Sequence, residues 1–73
     1  MKQLIDSFKA RAISGNEEIN VVIYERLGPD GRPIGGLNID ISPIQPERVD
    51  VTADHSQVFC LFDFGKSITF ERV

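Results

Sequence analysis

The chain has 73 residues, 41% of them hydrophobic, with eight basic and eleven acidic side chains and a net charge of −3. That length allows one domain with a small core, burying only about 60% of the unfolded surface. The acidic balance argues against sequence-independent binding to nucleic acid, and the single Cys60 excludes an internal disulfide. Met1 to Asp6 lacks the apolar stretch of a secretory leader, and no run is long enough to span a membrane, so a cytoplasmic location is expected.

The charge is uneven. Residues 1–13 carry Lys2, Lys9 and Arg11 against Asp6, a local +2; the other sixty carry five bases and ten acids, a local −5. In this first segment Leu4, Ile5, Phe8 and Ala12 fall on one helical stripe, while Phe8, Ala10 and Ala12 also alternate as a strand would. The abundance of Lys, Gln, Leu, Ala and Arg favours an amphipathic helix. A helix this short needs packing to be stable, so the segment either docks on the sheet or is ordered by a partner. Ser14-Gly15-Asn16 ends it.

Residues 18–27 read as a strand, with Ile19, Val21 and Ile23 on one face and Asn20, Val22 and Tyr24 on the other. Gly28-Pro29-Asp30-Gly31-Arg32-Pro33 is a turn, and Leu37 to Ile41 alternates back as a second strand, making a hairpin with a long tip. Pro43 and Pro46 mark a connection. Arg48 to Ala53 is a third strand, and Asp54-His55-Ser56 turns it into the densest apolar run, Val58 to Phe64. Gly65-Lys66 reads as a two-residue hairpin loop leading to a last strand over 67–73. Such a loop sets Phe64 opposite Ser67, Leu61 opposite Phe70, and gathers Phe59, Leu61, Ile68 and Phe70 on one face. The opposite face, with Val58, Cys60, Phe62 and Phe64, then needs cover from the first hairpin, the N-terminal segment or another protein. The expected fold is α+β, mostly β: a five-stranded antiparallel sheet or small open barrel with an N-terminal helix, in a single domain spanning 1–73.

No motif carries chemistry. Asp63-Phe64-Gly65 spells a kinase tripeptide, but the chain is too short for a kinase. The glycines of 28–36 precede an alternating strand, whereas a phosphate cradle needs a helix N-terminus. Pro43-Ile44-Gln45-Pro46 fits a linker. His55 and Cys60 are single residues of their kinds, giving neither a metal-ligand cluster nor a nucleophile with a base, and Cys60 reads as a small core residue. No enzyme activity, metal or cofactor is expected. What remains is binding: Lys2, Phe8, Lys9 and Arg11 on the N-terminal segment, and Tyr24, Arg26 and Arg32 on an exposed face or edge.

In its length, single-domain character and soluble class the chain resembles small phage-encoded host-takeover proteins, in particular the RNA polymerase-binding transcription regulators of Xanthomonas bacteriophages. No motif at any residue carries the resemblance, and no residue role follows from it. It implies a protein that binds the large subunits of host RNA polymerase; a non-enzymatic chain, monomeric when free and making no direct contact with nucleic acid, is the accompanying expectation. The resemblance further implies inhibition of initiation by opposing σ-factor engagement, with antitermination as a second activity. An inhibitor of a bacterial defence complex or a small assembly subunit is the alternative reading.

Overall fold

The computed structural model describes residues 1–73 and is all-β. Six strands form one antiparallel sheet: β1 (Lys2–Ala12), β2 (Glu18–Leu27), β3 (Pro33–Ser42), β4 (Arg48–Val51), β5 (Gln57–Leu61) and β6 (Ser67–Arg72). Their spatial order is β3-β2-β1-β6-β5-β4. Two meanders, β1–β2–β3 and β4–β5–β6, are thus joined where β1 pairs with β6, and the sheet curls into a barrel left open only between β3 and β4.

The expected α+β fold, with five strands and an N-terminal helix, is corrected on both counts. Residues 2–12 form the longest strand, β1, at the centre of the sheet. The alternation of Phe8, Ala10 and Ala12 prevails over helix propensity. In a sheet those three side chains face the core with Val21 and Ile19 opposite Phe8 and Ala10, whereas the helical stripe would leave Leu4 and Ile5 needing a second partner. Propensities of a few tenths of a kcal/mol per residue yield to burial of about 1.5–3 kcal/mol per large apolar side chain. Leu4 and Ile5 are accordingly exposed, and the register shifts between Leu4 and Asp6 at a bulge.

The core consists of Ala10, Ala12, Ile19, Val21, Ile23, Val58, Cys60 and Phe70, with Phe8, Ile39, Ile41, Ile44, Val49, Val51, Phe62 and Ile68 packed around it. Burial in this apolar setting pushes the Cys60 thiol up to about 11, consistent with a packing residue.

The last hairpin departs from expectation. Leu61, and not Phe64, lies opposite Ser67, and Val58 lies opposite Phe70. The loop is longer than Gly65-Lys66: Phe62 N–H donates to the Lys66 carbonyl (2.8 Å), Gly65 N–H donates to the Phe62 carbonyl (3.0 Å), and Gly65 has φ 82°. This is a three-residue loop in which glycine takes the left-handed position of a bulge. The register moves by three positions, an odd number, so the faces exchange. Val58, Cys60, Ile68 and Phe70 point inward, while Phe59 and Leu61 are exposed on the outside. The face that needed cover is therefore the core face, closed by β1, β2 and β3. Phe64 at the loop tip is 72% exposed and stacks on Phe62 with ring centroids 5.9 Å apart.

Candidate functional site

The β1–β2 pair extends well beyond β6. β1 bonds to β2 along nearly its whole length but pairs with β6 only at Ala10, Arg11 and Ala12, with Val73 N–H to the Lys9 carbonyl (3.0 Å) prolonging the ladder by one bond. The remainder projects with β3 as an arm, and the molecule is correspondingly elongated, 43 × 26 × 21 Å.

Alternation along β1 and β2 assigns the outer face of this arm. Lys2 lies opposite Arg26, Leu4 opposite Tyr24, Ser7 opposite Val22, Lys9 opposite Asn20 and Arg11 opposite Glu18. Five of the seven residues expected for binding, Lys2, Lys9, Arg11, Tyr24 and Arg26, thus share one surface. Arg11 is tied to Glu18 by a 2.9 Å salt bridge, and the Lys2 ammonium sits 5.2 Å from the Tyr24 ring centroid. Lys9 and Arg26 have no salt-bridge partner. Two like charges directly opposite one another, Lys2 and Arg26, oppose folding. Packing Lys2 over the negative face of Tyr24 eases that repulsion.

The other two expected residues lie elsewhere. Phe8 faces inward, with the Arg72 guanidinium 4.4 Å from its ring centroid. Arg32 is on the β2–β3 tip, 3.9 Å from the Asp30 carboxylate, with its side chain 86% exposed.

A polar cluster that sequence reasoning missed sits where the arm leaves the barrel. Asp6 follows the bulge on the inner face of β1. Its Oδ1 accepts from the Ser7 N–H (2.8 Å), and its Oδ2 accepts from Arg72 Nη1 (2.8 Å) and bonds to His55 Nδ1 (3.0 Å). The Arg72 bond first, then the His55 bond, hold the Asp6 carboxyl down at about 2. His55 reaches it from the β4–β5 turn, where its φ of 59° places it in the left-handed region. That turn is built on Asp54, whose Oδ1 accepts from the Ser56 hydroxyl (2.7 Å), the Thr52 hydroxyl (2.8 Å) and the Ser56 N–H (3.0 Å), holding its carboxyl down at about 2. Nothing in the sequence signals that residues 6, 55 and 72 meet, because 49 and 66 positions separate Asp6 from His55 and Arg72.

An Asp–His pair is two-thirds of a hydrolase triad. Here the Asp6 oxygen is shared with Arg72, and the only hydrogen bond of the His55 side chain is the one from Nδ1 to Asp6. Neither a hydroxyl nor a thiol hydrogen-bonds to the His55 ring. The cluster ties the β4–β5 turn and the neighbouring end of β6 to β1 and also satisfies the Ser7 N–H just beyond the last pairing with β6. The largest cleft, about 540 Å³ between the β1–β2 turn and the start of β6, is lined by Ile13, Glu17, Lys66 and Ile68 among others and contains neither His55 nor Cys60.

No family model, curated protein or solved structure matches the chain.

Proposed function

We propose that the chain is a non-enzymatic regulatory protein that docks on a protein partner through the outer face of the β1–β2 arm. The observation that carries this is the convergence of Lys2, Lys9, Arg11, Arg26 and Tyr24 on one face of a chain whose net charge is −3. A basic face on an acidic body orients an approaching acidic surface and repels it elsewhere. Lys9 and Arg26, lacking salt-bridge partners, and Tyr24 with its amphipathic ring, are the anchors.

Resemblance to the phage takeover proteins supplies the partner: the large subunits of bacterial RNA polymerase. Occupation of their surface by the arm would oppose σ-factor engagement and lower initiation; antitermination belongs to the same reading. The test is binding of purified polymerase core to the immobilised full chain, paired with promoter-dependent transcription in vitro. Capture of core enzyme and reduced initiation are expected, and the Lys9→Glu, Arg26→Glu double variant should weaken capture at least tenfold while keeping the wild-type circular dichroism. No capture, or capture unaffected by the double variant, overturns the reading. Salt-sensitive retention of duplex nucleic acid in place of polymerase would do the same.

A further inference from the structure

The barrel is not closed between β3 and β4, and both sides of the gap retain unused backbone groups. The alternation of an antiparallel ladder shows which ones. The Lys9 carbonyl bonds to Val73 on the β6 side, so Lys9 and its opposite residue Asn20 face away from each other. Asn20, Val22 and Tyr24 therefore bond to β3 through Ser42, Asp40 and Asn38, and the backbone groups of Ile39 and Ile41 point out of the sheet. On β4, the Thr52 N–H donates to the Gln57 carbonyl (3.1 Å), which directs Asp50 and Arg48 to β5 and leaves Val49 and Val51 with their backbone groups at the opposite edge. None of these four residues bonds across the gap.

The side chains of the same four residues pack against the core. The gap is a cleft of about 390 Å³ lined by Ile39, Asp40, Ile41, Gln45, Pro46 and Val49. Ile39, Ile41 and Val49 supply its apolar lining, and Asp40 and Gln45 its polar lining. The two prolines of the 43–47 connection supply no N–H groups with which to fill it. Around the rim the charges are Asp40, Glu47 and Asp50 against Arg48, all on exposed residues.

We propose that this seam receives an extended segment of a partner protein, in which apolar side chains turned inward alternate with basic side chains turned outward. Only a polypeptide strand carries the repeating donors and acceptors that match a sheet edge. The segment pairs with Ile39 and Ile41 of β3, its apolar side chains complete the core beside Val49, and its basic side chains meet Asp40, Glu47 and Asp50. This surface is the open edge of β3 with the facing edge of β4, two strands from β1, and stands independently of the docking face described above.

A capped seven-residue peptide alternating lysine and valine, added to the isotope-labelled full chain and followed by amide NMR shifts, tests the inference. Shifts should centre on Ile39, Ile41, Val49 and Val51, and hydrogen exchange at the Ile39 and Ile41 amides should slow at least tenfold at saturation. A glutamate–valine peptide of the same length should bind at least tenfold more weakly. Asp40→Lys, on the solvent side of β3, should weaken the lysine–valine peptide several-fold without altering the rest of the spectrum, whereas Lys9→Glu should leave its affinity unchanged. The inference is overturned by an absence of shifts, by shifts centred on the outer face of β1 and β2, by equal binding of the two peptides, or by a dimeric mass of the free chain with the seam amides already protected.

Discussion

β1–β2–β3 and β4–β5–β6 are both three-stranded antiparallel meanders, but the first has strands of ten or eleven residues and the second strands of four to six. In the long meander polarity mostly separates the faces: Ile19, Val21 and Ile23 are buried, and Asn20 between them is exposed. In the short one apolar residues occupy both faces of β5, Val58 and Cys60 within and Phe59 and Leu61 without. The long meander fixes its own register through its pattern. The short one depends on its loop and on the strand it meets, since a pattern apolar on both sides is satisfied equally well after a slip.

That contrast can be broken most forcefully at Phe70, the residue where the halves meet. It lies opposite Ala12 of β1 and opposite Val58 of β5 and is 1% exposed. Phe70→Ala should cost about 3–5 kcal/mol, a large part of the stability of so small a domain, read as a fall in the urea midpoint. A loss near zero would mean the halves are held together some other way.

Asp6 probes the same joint by charge. The carboxyls of Asp6 and Asp54 are both lowered from 3.8 to about 2 in the fold. Between those values the unfolded chain binds more protons than the folded one, so stability is complete above pH ~4 and is lost as pH falls toward 2. Asp6→Asn should remove part of that acid sensitivity and lower the Tm at pH 7. Thermal melts across pH 2–7 would show an unchanged acid limb if the cluster contributes nothing.

The smallest effect is expected at Phe59, adjacent to buried Val58 but 42% exposed. Phe59→Ser should change stability by no more than about 1 kcal/mol in chemical denaturation, because much of the ring is already in water. A loss comparable to that of Phe70→Ala would place Phe59 in the core and restore the register expected from the sequence.

Much of the candidate binding face was legible in the sequence, because Tyr24 and Arg26 fall on one face of any strand over 18–27, and Lys2, Lys9 and Arg11 give the first segment its charge. That they form one surface was not legible, since it requires β1 to be a strand and requires the bulge between Leu4 and Asp6, which restores Lys2 and Leu4 to the same side as Ser7 and Lys9. Phe8 belonged to the core for the same reason: in a strand it alternates with Lys9 instead of sharing a stripe with Leu4 and Ile5.

By itself the sequence determined the β2–β3 hairpin, the proline connection, the β4 strand and the apolar character of residues 58–64, because period-2 alternation and turn residues act locally. Tertiary structure alone decided that residues 2–12 are the central strand, that the last hairpin closes at Leu61 and Ser67, and that Asp6, His55 and Arg72 converge. The first and third depend on partners distant along the chain, and the second on the loop geometry together with the core that the hairpin packs against. The helical stripe of residues 2–12 and the apolar run of 58–64 both had a locally acceptable alternative, and it was the shared core around Phe70 that selected between them.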